Sequence, residues 1–303
     1  MHTIILCLRI TDIKQLAMKN QSRFLLLGRL FLGLLGLVWM LAGAANTTMF
    51  AQNSQWRELA DGLHLAEFQS PEPSEVGDSR ITVLKIDPQF FEFKLLNATQ
   101  HNRRLRTLGN WAKEFGLIAT INAGMYQKDL LTSVGYMKNF DHVNNGHVNP
   151  NNTIFAFAPN DSTLPDALII DRTCENFDSL RNSYQCMLQS IRMISCTREN
   201  VWSRQPNRWS ISVLGMDTAG NILFIFSQSP FTVHDFNNHL LKLPIDISKA
   251  MYLEGGSKAG FYLSFNGVTI EKYGIYENVL LGGDNMNATW PIPNALGIVP
   301  KNR

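Results

Sequence analysis

Residues 117–122, Leu-Ile-Ala-Thr-Ile-Asn, are the most restrictive stretch of this 303-residue chain. Gly116 breaks the chain before them, and Asn122, Ala123 and Gly124 end the run. Between those breaks the segment is almost wholly apolar, which reads as a strand buried on both faces. Such a strand needs cover on both sides. At least part of its sheet must therefore carry a helix on one face and sheet or loops on the other.

The rest of the chain supplies the partners. Residues 63–68, 81–87 and 91–96 read as strands, the last two as a hairpin-like pair separated by Pro88. Leu108, Trp111, Ala112 and Phe115 recur at helical spacing, and Gly116 stops that helix. Residues 133–138 read as a further strand and 139–152 as a polar loop. Strands follow at 153–159 and 167–171, and the run 186–195 is strand-like. Residues 209–217 and 221–227 flank Thr218-Ala219-Gly220 as the clearest hairpin, and 233–244 form an amphipathic helix ended by Pro244. Residues 250–256, 260–267 and 294–300 close the pattern. The class predicted is α+β, a single domain with a mixed, largely antiparallel sheet and a few packed helices.

Lys19 and Arg23 precede an apolar stretch, with no charge from Leu30 to Ala45, and Ala42-Gly43-Ala44 resembles a cleavage site. Residues 1–45 thus read as an N-terminal extension with a secretory signal peptide, Met18 being an alternative start. Residues 24–41 also approach the length of a membrane anchor if Arg29 snorkels. Either reading exports the body of the protein to the periplasm or the extracellular space. Residues 46–55 are a polar linker and 56–303 the domain. A net charge of +2 without a dense basic block argues against a nucleic-acid partner. Cys174, Cys186 and Cys196 allow one disulfide and one leftover thiol, and their spacing fits no zinc pattern. The histidines form no ligand pair, so no metal residue is assigned and the cofactor is left open.

Two strand ends share one logic. The run ending Asn122-Ala123-Gly124-Met125-Tyr126 and the run ending Glu254-Gly255-Gly256-Ser257 each deliver one polar side chain, followed by glycine. Glycine there permits positive φ and close approach of a ligand to the backbone. Each motif alone reads more readily as a tight turn. Together they outline a pocket in which Glu254, at the edge of an apolar interior, is the candidate acid/base carboxylate. Arg192, inside an apolar run, needs an acid or a bound anion as partner; Arg208 is the weaker loop candidate.

These same residues resemble the phosphodiester glycosidase family from about Trp56 to the C-terminus, most closely its exported bacterial branch. Asn122 to Tyr126 match a strand ending in Asn-Gly/Ala-Gly and a bulky residue, and Glu254-Gly255-Gly256 matches an Asp-Gly-Gly strand end. Gln189, Ser190, Ile191 and Arg192 stand where much of the family has Gln-Ser-Gly-Pro. The resemblance implies an exported hydrolase that cleaves a sugar-1-phosphodiester in a glycan or envelope polymer. It implies Glu254, Asn122 and Arg192 as catalytic residues. Gly124, Tyr126, Arg208, Gly255, Gly256 and Ser257 would contact substrate. The alternative is a carbohydrate-binding protein that keeps the pocket without the chemistry.

Overall fold

The structure, a computed structural model, describes residues 56–275 and 289–302. The extension at 1–45 and the linker at 46–55 lie outside the described residues. Among those described, no helix is long and apolar enough to cross a membrane.

Two antiparallel sheets carry the domain. One runs β1 (Arg57–Ala60), β2 (Leu63–Gln69), β3 (Arg80–Ile86), β12 (Ile222–Phe231), β11 (Trp209–Asp217), β13 (Ile247–Gly255), β10 (Tyr184–Ile194), β6 (Met137–Asn139) and β7 (His142–Asn145). From it β8 (Thr153–Pro159) pairs with β10, and β9 (Ala167–Asp171) pairs with β8. The smaller sheet runs β15 (Val268–Tyr273), β14 (Gly260–Phe265), β5 (Ala119–Asn122), β16 (Asn294–Pro300) and β4 (Phe91–Asn97).

The main core lies between the sheets. Phe224 and Met251 from the large sheet share one buried cluster with Phe93, Ile121, Phe261 and Leu296 from the small one. The other face of the large sheet packs Val213, Ile225 and Tyr252 against Val233, Phe236 and Leu240 of α3 (Val233–Lys242). The other face of the small sheet packs Tyr262 and Ala295 against Leu108, Trp111 and Ala112 of α1 (Leu108–Phe115). A short α2 (Phe177–Leu180) covers the β8–β10 end through Phe177. The layers are helix, sheet, sheet, helix, which is the double cover that the apolar β5 requires.

Local chemistry fixes the helices. Thr107 caps α1 by accepting from the Asn110 N–H at 3.2 Å, and Gly116 ends it in the left-handed region at φ 67°. Thr232 caps α3, accepting from the Asp235 N–H at 3.0 Å. The 209–231 hairpin forms as read, with Val213 opposite Ile225.

Four sequence readings need correction. Sheet dominates the described residues so far that the domain is β-rich rather than evenly α+β. The pair around Pro88 is no hairpin: β3 joins β2 and β12, whereas β4 crosses to the small sheet and pairs with β16. The polar stretch 139–152 contains β7, paired with β6, and of the strand expected at 133–138 only Met137 and Lys138 fall in a regular strand, Met137–Asn139. Val268–Tyr273, not foreseen, forms the β15 edge.

Candidate active site

The site forms where β13 leaves the large sheet, turns through Gly256–Lys258 and enters the small sheet as β14. Register decides where Glu254 points. Across β11 and β13, Val213 faces Tyr252 and Ser212 faces Glu254, so Leu253 is the extra residue of a bulge. Directly opposed residues share a face, so Tyr252 lies on the α3 side with Val213 while Glu254 lies on the opposite side with Ser212. In an unbroken strand the two would share one face. The bulge re-aims the carboxylate.

Asn122 is 2% exposed, and protein groups occupy both of its polar atoms. Its Nδ2 donates to the Lys258 carbonyl at 2.9 Å. Its Oδ1 accepts from the Gly260 N–H at 2.8 Å and from the Ser212 hydroxyl at 3.0 Å. Ser212 also donates to the Glu254 carbonyl at 3.3 Å. Asn122 and Glu254 therefore do lie side by side, joined through Ser212. Asn122 pins the turn after Glu254.

Glu254 is half-buried, and its Oε1 accepts from the Gly255 N–H at 3.0 Å. Burial pushes its carboxyl up to about 7, against the Gly255 N–H and the nearby Lys258 ammonium, which favour the ionised form. Lys258 Nζ sits 4.8 Å from the centroid of the Tyr126 ring. Tyr126 and Ser257 thus fall at the site through Lys258, one by ring contact and the other by chain adjacency.

The glycines serve packing. A Cβ on Gly255 would lie 2.0 Å from the Tyr252 hydroxyl and 2.5 Å from the Trp209 ring. Close approach here is to the protein's own aromatics, with Trp202 tilted at 41° to Tyr252 and their ring centroids 5.4 Å apart. Gly256 adopts φ 65° to begin the turn, and Gly124, at φ 78°, ends the β5 run beside Leu188.

Both arginines carry a carboxylate partner. Arg192 Nη1 donates to both carboxylate oxygens of the fully buried Asp171, at 2.8 and 3.0 Å, and to the Thr173 hydroxyl at 2.6 Å. Burial opposes ionisation of Asp171, but Thr173, the Cys196 N–H and Arg192 outweigh it and hold the carboxyl below the usual range. Arg208 pairs with Glu75 at 2.6 Å. Arg192→Gln is expected to lower stability by about 2–4 kcal/mol, because it strands a buried carboxylate. The folded fraction should keep full activity, which urea titration beside single-temperature kinetics would check.

Beside this ion pair Cys174 bonds Cys196, leaving Cys186 as a buried free thiol. Asp171, Cys174 and Cys196 are the one group of metal-ligand types gathered among the described residues, and the disulfide already occupies both sulfurs.

Ser212 and Lys258 were missed from sequence. Lys258 follows the quoted Gly-Gly pair by two residues and was legible as a charge on the turn. Ser212 carries no local signal, since its importance comes from a partner ninety residues away, Asn122.

A bulged strand thus delivers a half-buried acid to a glycine-rich turn in a β-rich domain of two sheets covered by helices. The family profile described as phosphodiester glycosidase matches residues 115–299, and the chain belongs to that family. Among solved structures, the catalytic domain of zebrafish N-acetylglucosamine-1-phosphodiester alpha-N-acetylglucosaminidase, auto-inhibited by its pro-peptide, aligns with TM-score 0.54 and 11% identity. The alignment covers 80% of each chain. A hypothetical protein from Synechocystis aligns with TM-score 0.52 and 13% identity, over 82% of this chain and 64% of that one. Likeness at these identities shows the fold. No curated protein matches the chain in sequence.

Proposed function

We propose that the protein is an exported hydrolase that cleaves sugar-1-phosphodiesters, with Glu254 as the general base. The observation that carries this reading is the Glu254 carboxyl itself, turned by a bulge onto the Asn122-pinned turn and pushed up to about 7. A base poised there takes a proton effectively at neutral pH.

Water adds to the anomeric carbon and gives a proton to Glu254. The bond between that carbon and the phosphodiester oxygen breaks, and the phosphomonoester leaves with the electron pair. Phosphate is a good leaving group, so the step needs less protonation of the departing oxygen than ordinary glycoside hydrolysis. The negative phosphate needs a cation. Lys258, beside Glu254 and over Tyr126, would meet that need. Ser257 and the turn amides would orient the sugar.

Export is supported by the uncharged run from Leu30 to Ala45 and by the Cys174–Cys196 disulfide, which suits an oxidising compartment. The test is turnover of a panel of sugar-1-phosphodiesters with and without chelator. Release of free sugar and phosphomonoester supports the reading. Tight glycan binding with no product at any pH or with any added metal would establish the binding-protein alternative instead.

A further inference from the structure

The stretch that ends β5 grips Lys258 at both ends. Asn122 Nδ2 donates to the Lys258 carbonyl at 2.9 Å, and the Tyr126 ring lies 4.8 Å from Lys258 Nζ. Tyr126 is itself built in. The chain from Met125 to Val134 forms a small hairpin: the Val134 N–H donates to the Met125 carbonyl at 3.0 Å, the Gln127 N–H donates to the Thr132 carbonyl at 2.7 Å, and Tyr126 bridges Ser133. Side chains of β7 clamp the return arm. Asn144 Oδ1 accepts from the Ser133 N–H at 2.7 Å, and its Nδ2 donates to the Leu131 carbonyl at 3.1 Å. Asn145 Nδ2 donates to the Ser133 carbonyl at 2.8 Å. Asparagine side chains thus stand in for a neighbouring strand, satisfying the backbone of that arm. On its other side the Tyr126 ring packs against the cluster that holds Trp111 and Tyr262.

We infer that Tyr126 is a positioning residue, whose ring holds the Lys258 ammonium facing the turn that carries Glu254. For its catalytic consequence the inference rests on the hydrolase reading above; for its electrostatics it does not. A lysine on a turn otherwise spreads over many rotamers, and its charge is screened by solvent and salt. A ring face under the ammonium selects the rotamers that keep the charge near the site. The charge matters there. Burial lifts the Glu254 carboxyl, the Gly255 N–H and then Lys258 oppose the rise, and the balance stands at about 7. Among the described residues Lys258 is the charged side chain that acts on this carboxyl. Glu271, Lys272 and Tyr273 line a small cleft beside Lys258. Of these, Lys272 donates to Glu67 and to the Thr82 hydroxyl at 2.8 Å, and Glu271 is exposed. The aromatic residue after Asn122-Ala123-Gly124 therefore tunes the acid by way of the lysine.

The experiment follows the ¹³C carboxyl titration of Glu254 in the intact protein, its signal assigned by its absence in Glu254→Gln. The same titration is run on Tyr126→Leu, Tyr126→Phe, Lys258→Met and the double variant Tyr126→Leu/Lys258→Met. Tyr126→Leu should move the midpoint upward by about half a pH unit, the equivalent of an exposed cation–π contact. Tyr126→Phe keeps the ring face and should titrate as the wild type does. Lys258→Met should move the midpoint upward by about one pH unit, and adding Tyr126→Leu to it should move it no further. An unmoved midpoint in Tyr126→Leu would overturn the inference. So would equal shifts in Tyr126→Leu and Tyr126→Phe, or a further shift in the double variant. Turnover separates this inference from the reading it deepens. Titrations as expected without turnover of any phosphodiester would sink the hydrolase reading and leave the role of Tyr126 standing. Turnover whose rising pH limb keeps its midpoint in Tyr126→Leu would do the reverse.

Discussion

Glu254→Gln should cut kcat/KM on a sugar-1-phosphodiester by roughly a thousandfold, within the range that a positioned general base contributes. The amide preserves the shape of the side chain and an acceptor for the Gly255 N–H, so the turn should survive. What disappears is the group that takes the proton from water. In the wild type the base form gains as pH rises, so kcat/KM should climb about tenfold per unit below about 7 and level above it. In the variant that limb should be absent.

The same residue makes a prediction independent of substrate. The carboxyl is raised above its ordinary range on folding, so the folded state holds the proton more tightly than the unfolded one. Stability therefore falls as pH rises from about 4.5 to about 7, and the cost of the buried ionised group is present in full above that window. Replacing Glu254 by Gln removes this cost. The variant should be more stable than the wild type by about 1–3 kcal/mol at pH 8, with no advantage at pH 4. Urea titrations at the two pH values measure it, and equal stability at both would show that Glu254 is an ordinary exposed carboxylate.

The second large effect is expected at Asn122. Replacing it by Ala removes three hydrogen bonds and leaves the Lys258 carbonyl and the Gly260 N–H short of partners, while the Ser212 hydroxyl keeps the Glu254 carbonyl. Unsatisfied buried groups cost about 1–3 kcal/mol each, and some relaxation is available at a turn, so a loss of roughly 2–4 kcal/mol follows. Catalysis should suffer as well, because the turn between Glu254 and Lys258 loses its anchor. The signature is a fall in kcat beside the fall in stability. Unchanged kinetics in a destabilised but folded Asn122→Ala protein would reduce Asn122 to a plain packing residue.

Much of the fold was legible because it is written in local periods. The apolar β5, the capped α1 between Thr107 and Gly116, and the β11–β12 hairpin each depend on residues within a few positions of one another. Readings that depend on distant pairing failed. Nothing near Pro88 signals that the chain changes sheets there, because the choice rests on β12 for β3 and on β16 for β4. Arg192 called for an acid or an anion, and which acid could not be named because Asp171, its partner, lies on another strand. At the site, the glycine-rich ends of β5 and β13 pointed to the right place. The bulge at Leu253 was not legible, since it exists only in the register between β11 and β13, and it alone sets the direction of Glu254.

Hydrolysis of a sugar-1-phosphodiester in ¹⁸O-labelled water, with mass analysis of both products, tests the central claim most directly. The account predicts label in the released sugar and none in the phosphomonoester, because water attacks the anomeric carbon. Label in the phosphomonoester would contradict it, and so would the absence of any released sugar.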